Sequence, residues 1–439
     1  MKTSKIKRLV VNVPQGDAGN LVKESRFSFN YTVAERACEV SLLMPIRAES
    51  YAETALPAVF AMNRPEGFLL DKLRERFGKF VALDDMRLLA LTGQNQIGRL
   101  RYREPDDVNA PMKIEVGLGT LLKSGGSDTL FDFLVEVYLH SGISGFQPKV
   151  MLPDADAIVK RDDVTVGIGA PVTERSTAVT PDLIVKSAGD DYPHLAQNEF
   201  LCMEAARLAG IRVPDFWLSD DGSLFVMRRF DLEGSAQRQL GFEDMAALTL
   251  RSAYEKYEGS YSDIATTVAL YCRENRADSL ARLFEYVALS VMVRNGDAHL
   301  KNFGLLYDHP HGQAPALSPL YDVVTTSVYP IVDLQSGRAL TDRTPALKLH
   351  REKSKHYPDR KALHDFGRNI CLVMRPERVV ERIATAMKQA LDLHRDRIDA
   401  DLHAAMSAEW EAGMSSVGPD RVFARAEITV PRADGKNIK

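Results

Sequence analysis

Residues 294–304 read Arg-Asn-Gly-Asp-Ala-His-Leu-Lys-Asn-Phe-Gly, the segment densest in reactive side chains in the 439-residue chain. Just upstream, Phe284, Val287, Ala288, Val291 and Met292 recur at helical spacing and define one apolar face. Asn295 and Gly296 both tolerate left-handed backbone, so the helix is expected to stop there. The residues after it then form a loop held against a packed helix. Within that loop Asp297 and Asn302 stand five positions apart. An aspartate so placed can accept a hydroxyl proton at the point of attack, while the asparagine returns to ligate a metal.

That D-x-x-x-x-N spacing is the spacing of a kinase catalytic loop. Twenty positions beyond Asn302, the segment Leu-Ser-Pro-Leu-Tyr-Asp ends in a second carboxylate, Asp322. Residues 304–307 and 317–321 are expected to pair as a hairpin across the turn-rich stretch 308–315, returning Asp322 toward Asn302. A carboxylate and an amide oxygen, completed by phosphate oxygens and water, suit magnesium. Farther upstream, Lys186 ends the apolar strand of residues 182–186, where its stem can be buried and its ammonium offered to phosphates. Thirteen residues later Glu199 is expected to open a helix and pair with that lysine. Singly, these residues suit a cap, a turn, a surface charge and a snorkelling lysine. Their joint order and spacing favour chemistry.

The rest of the chain sets the frame. Residues 9–13 alternate as a strand, Gly16 and Gly19 read as a turn, and Phe27, Phe29 and Tyr31 alternate again. Helices are expected over 67–76 and over 84–91, the latter capped by Asp84 and stopped by Gly93. The polar stretch 123–127 is the best boundary in the first half. An amphipathic helix comes next, with Phe131, Leu134, Val135, Tyr138 and Leu139 on one face. Residues 141–149, rich in glycine and hydroxyls and ending in Lys149, form a polar loop consistent with phosphate cradling. It is neither a Walker A nor a G-x-G-x-x-G sequence. Residues 223–230 read as a strand after an Asp221-Gly222 turn, and helical patterns dominate from Phe242 onward. The expected fold class is α+β, with a mostly α-helical back half.

Composition excludes several classes. Hydrophobic residues at 45% and charged residues at 26% supply a sizeable core, which excludes wholesale disorder. The 56 basic and 60 acidic residues leave a net charge of −4, which argues against a chain that binds mainly by neutralising phosphates. Cys38, Cys202, Cys272 and Cys371 show no metal spacing and read as reduced thiols. The most apolar helical run, 284–293, is about half the ~20 residues that a bilayer requires. The start reads as a strand rather than a signal peptide, so the cytoplasm is the expected compartment and no membrane partner is expected. His309 and His311 sit in a proline-containing turn that reads as solvated, Trp217 and Trp410 read as packing residues, and 432–439 as a frayed end.

Together these segments resemble the HipA family of serine/threonine kinases, the toxin halves of HipA–HipB toxin–antitoxin modules. The likeness is carried by SGISGFQPK (141–149), LIVK (183–186), NEFLCMEAARLAGI (198–211), MRRFD (227–231), FEDM (242–245), GDAHLKNFGLLY (296–307) and LSPLYDVV (317–324). In front, SLLMP (41–45) and NRPEG (63–67) resemble the family's N-terminal subdomain. The resemblance implies a bilobal protein-kinase-like fold in three parts: an N-terminal α/β subdomain at 1–125, an N-lobe at 126–232 and a helical C-lobe at 233–439. It implies ATP and Mg2+ as cofactors, with Asp297 as catalytic base, Asn302 and Asp322 as magnesium ligands, and Lys186 gripping phosphate. Ser144, Gly145, Phe146, Gln147, Pro148 and Lys149 match the loop over the nucleotide. Arg228, Arg229 and Phe230 match the hinge strand that holds adenine, chiefly through backbone groups. His299 and Tyr321 are taken with them as nucleotide contacts.

The family often carries S-x-S-G in its phosphate loop. Here Gly142 replaces the first serine, so Ser144 is the expected autophosphorylation site, with Ser141 the alternative. The resemblance further implies a HipB-like helix-turn-helix antitoxin as partner, DNA contacted only through it, and an aminoacyl-tRNA synthetase as protein substrate. Two other readings share the same residues: a small-molecule kinase of aminoglycoside-phosphotransferase type, and a non-catalytic nucleotide-sensing co-repressor bound to an antitoxin.

Overall fold

Alternating apolar residues near the start build the first sheet. The computed structural model describes residues 5–66, 70, 73–74, 82–93, 96–106, 122–123, 176–179, 183–187, 192–234, 238–332 and 339–418. Strands β1 (Arg8–Val13), β2 (Gly16–Lys23), β3 (Phe27–Tyr31), β4 (Tyr51–Glu53) and β5 (Arg101–Arg103) form an antiparallel sheet ordered β4-β3-β2-β1-β5. Leu9, Val11, Leu21 and Phe29 point from it into a core shared with Phe60, Leu89 and Tyr102. Gly19, expected in a turn, instead lies inside β2 opposite Tyr31. Helix α1 (Asp85–Thr92) packs on this core, and the Asp84 carboxylate accepts from Arg87 N at 2.9 Å, as its sequence signals.

A second antiparallel sheet carries Lys186. It comprises β6 (Ser176–Val179), β7 (Leu183–Ser187), β8 (Phe216–Leu218) and β9 (Leu224–Arg228), in the order β6-β7-β9-β8. Helix α2 (Leu195–Leu208) packs against it, with Phe200, Ala205 and Met203 in the same core as Phe216 and Phe225. Glu199 therefore lies in the second turn of α2 rather than opening it. The helix begins four residues earlier, after His194 in left-handed backbone (φ 59°), because Leu195 and Ala196 also have a core to enter.

Behind these lies a helical body. Helices α3 (Tyr261–Tyr271), α5 (Pro376–Leu393) and α6 (Ala400–Val417) pack around α4 (Arg276–Met292), whose residues 286–292 are all buried. Gly413 lets α6 approach the end of α4. A Cβ there would stand 1.9 Å from Met292 O. A small sheet, β10 (Gly241–Asp244), β11 (Gly304–Tyr307) and β12 (Ala316–Leu317), borders the body. The hairpin expected after Asn302 thus forms, but only Ala316 and Leu317 pair with it, and 318–322 leave the ladder.

The first sheet's unit is joined to the body by buried polar contacts. Glu243 accepts from Ser41 Oγ (2.7 Å), Leu42 N (2.8 Å) and Tyr307 OH (2.5 Å). Burial pushes the Glu243 carboxyl above its ordinary range, and those three donors oppose the shift. Asp231, fully buried, accepts from Gly98 N and from the Arg229 guanidinium. All four cysteines are free and buried. Among the described residues, no helix is long and apolar enough to cross a membrane.

Candidate active site

Lys186 emerges from β7 with its side chain 9% exposed, so its charge must be neutralised locally. Two carboxylates do this. Glu199 Oε1 lies 2.6 Å from Nζ and Asp322 Oδ1 lies 2.8 Å from it. Glu199 reaches it from α2 because the second turn of that helix faces β7. Asp322 reaches it from a residue in left-handed backbone (φ 64°), an uncommon conformation for a non-glycine residue that persists only where surroundings hold it. The three groups, separated by up to 136 positions, make one charged cluster beside β7, a strand paired on both sides.

The segment 294–304 follows α4 as expected, but a different residue makes the turn. Arg294, not Asn295 or Gly296, takes the left-handed conformation (φ 57°), and Asn295 N closes on Ser290 O at 2.8 Å. Gly296 serves close approach instead. Its N–H donates to Thr326 Oγ1 at 2.7 Å, and a Cβ there would meet that oxygen at 2.8 Å and Thr344 O at 2.9 Å. Asn295 Oδ1 accepts from Asp297 N at 3.0 Å. Asn302 Nδ2 donates to Asp297 O at 2.8 Å, which closes the loop and aims the amide oxygen away from it.

Asp297 has a partner that sequence reasoning missed. Tyr257 OH donates to its Oδ1 at 2.6 Å. Burial and the Asp297 charge push the phenol far above its ordinary range, so it remains a donor. His299 is buried against the Tyr257 ring, with Nε2 3.7 Å from the same Asp297 oxygen. Burial lowers the His299 pKa more than Asp297 raises it, which favours neutral imidazole at pH 7. Its Nδ1 has no hydrogen-bond partner among the described residues. Lys301, beside Asn302, pairs with Glu66 at 2.8 Å and lies 3.7 Å from Asp244. The first sheet's unit thereby reaches into the loop.

The other expected contacts separate into two groups. Tyr321 stacks on Phe230 (centroids 4.8 Å apart, 15° between planes), and its hydroxyl donates to Lys301 O. Arg228 and Arg229 point elsewhere. The Arg228 side chain extends toward Asp215, and Arg229 is buried in its pair with Asp231. Any adenine contact by these two arginines would fall to their backbone groups. Ser141 and residues 144–149 lie outside the described residues, as do the helix expected at 131–139, most of 67–76 and the tail 432–439. His311 Nε2 lies 2.7 Å from Glu39 Oε2, and Trp410 is fully buried.

These donors fit magnesium. Asn302 supplies an amide oxygen and Asp322 a carboxylate, both hard oxygen ligands, and magnesium retains water and phosphate oxygens rather than requiring a protein cage. Among the described residues no group of three His, Cys, Asp or Glu is placed to hold a metal by itself.

Comparison with known proteins places this geometry. The sequence model of the HipA-like C-terminal domain matches residues 141–393, and that of the HipA N-terminal domain matches 9–103. A putative kinase of Haemophilus influenzae is 30% identical over 202 residues, 43% of this chain and 53% of its own length. The chain thus spans about half of that relative. A putative kinase of Sinorhizobium fredii is 26% identical over 309 residues, covering 67% of this chain and 70% of the relative. The serine/threonine-protein kinase toxin HipA of Shewanella oneidensis is 23% identical over 222 residues, 46% of this chain and 49% of the toxin. A solved structure of HipA from that organism, determined with HipB and operator DNA, superposes with a TM-score of 0.62 at 17% identity. It covers 93% of this chain and 96% of the other. The fold is therefore the α+β, bilobal kinase-like fold of HipA, and with the C-terminal model spanning more than half of it, the chain belongs to the HipA family.

Proposed function

We propose that the chain is an ATP- and magnesium-dependent serine/threonine protein kinase and the toxin of a toxin–antitoxin module. The observation that carries this reading is Lys186, buried between Glu199 and Asp322. Glu199 holds the ammonium aimed, so that Lys186 grips phosphate oxygens. Asn302 and Asp322 would hold magnesium. Bound ATP and magnesium supply the transferable phosphoryl group and neutralise its charge. Asp297, its Oδ1 held by Tyr257, orients an acceptor hydroxyl and takes its proton. Such transfer depends on positioning and electrostatics more than on covalent chemistry by the protein. Phe230 and Tyr321 border the adenine position, together with backbone groups of Arg228 and Arg229, and His299 lies toward the phosphates.

Residues 144–149 close over the phosphates in this proposal, with Ser144 the self-modified residue and Ser141 the alternative. The three-part division at 125/126 and 232/233 belongs to it, as does a cytoplasmic location. The Shewanella oneidensis assembly, toxin with HipB and operator DNA, supports a HipB-like helix-turn-helix partner for this chain and indirect DNA contact. The target follows family analogy, an aminoacyl-tRNA synthetase.

The test is incubation of purified protein with labelled ATP and magnesium in cell extract. Label is expected on protein serine or threonine, absent for Asp297→Asn, with mass spectrometry reading Ser144 and Ser141. Near wild-type transfer by Asp297→Asn would refute the loop assignment. Label on a small metabolite would favour the small-molecule kinase, and ATP binding without transfer the co-repressor.

A further inference from the structure

Glu199 and Asp322 reach Lys186 from elements distant in sequence, and their neighbours tie those elements together. Asn198, directly before Glu199, donates from Nδ2 to Thr325 O at 3.0 Å, and Thr325 N donates to Asn198 Oδ1 at 2.8 Å. Thr325 lies three residues past Asp322. One side-chain amide thus pairs with a backbone amide in both directions, locking α2 to the segment that carries Asp322. The Thr325 hydroxyl also accepts from Trp410 Nε1 at 2.7 Å, a bond that comes from α6. Asn198, Thr325 and Trp410 are all fully buried, so these polar groups would be left unpaired if the contacts broke.

The segment between is packed into the interior. Val323 and Val324 are buried, and Asp322 is held in left-handed backbone, which a non-glycine residue keeps only where its surroundings impose it. A shift of backbone at Asp322 therefore has to pass to Thr325, whose amide and hydroxyl are both engaged. We propose that Asn198, Thr325 and Trp410 are positioning residues that hold the Asp322 carboxylate in its metal-binding orientation, and that α6 senses occupation of the nucleotide–magnesium site through the Trp410 indole. The proposal rests on the reading of Asp322 as a magnesium ligand. Coupling of this kind is reciprocal: whatever favours the competent Asp322 is itself favoured by the metal.

Trp217 and Trp410 are the chain's two tryptophans, so Trp217→Phe leaves Trp410 as the sole indole, whose emission is read under excitation that tyrosine does not absorb. Magnesium is titrated into this protein with a non-hydrolysable ATP analogue, followed in parallel by fluorescence and calorimetry. Trp410 emission should change saturably, with the calorimetric midpoint. Thr325→Val, which removes the hydroxyl at nearly constant shape, should weaken magnesium affinity roughly five- to tenfold, about the loss of one hydrogen bond, and abolish the emission change. Thr325→Ser should restore both. Should Thr325→Val not fold, Trp410→Phe removes the same bond from the other side and should weaken magnesium affinity in calorimetry. Magnesium affinity within twofold of the parent in the folded variant would overturn the proposal. So would calorimetric binding with no change in Trp410 emission. No binding by the parent itself would instead remove the metal-site reading beneath it.

Discussion

Replacing Glu199 by glutamine preserves shape and removes one of the two charges that keep Lys186 in its buried position. Breaking a buried ion pair from one side commonly costs about 3–5 kcal/mol, because the remaining charge is left without compensation. Here the cost should be smaller, about 2–3 kcal/mol, since Asp322 remains 2.8 Å from the ammonium and glutamine can still accept a hydrogen bond. Lys186→Met should cost at least as much, because it leaves Glu199, 1% exposed, facing Asp322 with no cation between them. The double variant should then be more stable than the two single losses predict, with a coupling of about 2 kcal/mol, as expected for residues in direct contact. The assay is denaturant unfolding of all four proteins, read at the transition that includes α2. Phosphate transfer should fall at least tenfold in each single variant, because the ammonium is either absent or drawn wholly onto Asp322. A coupling below about 0.5 kcal/mol would refute the reasoning, since it would mean that the pair is solvated and its geometry incidental.

Other contacts lead to three further expected outcomes. Gly296→Ala places a methyl group against Thr326 Oγ1 and the backbone oxygen of Thr344, so it should cost about 1–3 kcal/mol and reduce transfer more than tenfold; unchanged kinetics would show that the loop yields freely. Arg229→Met leaves the buried Asp231 carboxylate without its cation and should destabilise by about 3–5 kcal/mol, with Arg229→Met/Asp231→Leu recovering much of the loss in thermal unfolding. The third concerns pH. Burial opposes the Glu66 charge, yet Lys301 holds its carboxyl below the ordinary range; burial likewise opposes the Lys301 charge, which Asp244 and Glu66 raise above its range. The Glu66 contribution is therefore present above its unfolded pKa of about 4.3 and lost as pH falls through the folded value. The Lys301 contribution is present below about 10.4 and lost as pH rises through its folded value. Glu66→Gln should be less stable than wild type by about 1 kcal/mol at neutral pH, with the gap closing below about pH 4 in acid titration of stability.

Local chemistry made part of this molecule legible from sequence. Asp84 caps α1 because the carboxylate and the N–H it accepts from are three residues apart, and residues 304–307 turn back on 316–317 because the intervening turn residues allow little else. The D-x-x-x-x-N spacing marked the loop in which Asn302 donates to Asp297 O, a bond that spans five positions. Other features needed the folded chain. Glu199 falls in the second turn of α2 because a core awaits Leu195 and Ala196, which no N-terminal charge signal reveals. Arg294, rather than the more permissive Asn295 or Gly296, takes the left-handed turn because Asn295 is bonded to Ser290 and Gly296 is needed against Thr326. Arg229 is spent on Asp231, Tyr257 on Asp297, and Asn198 and Trp410 on Thr325. In the last two cases the partners stand 40 to 127 positions apart, and pairing over such distances is decided by which buried polar groups the packing of separate elements leaves facing one another. Sequence spacing governs the bonds a segment makes with itself; only the close-packed interior selects the distant partner, because there an unpaired donor or charge has no water to turn to.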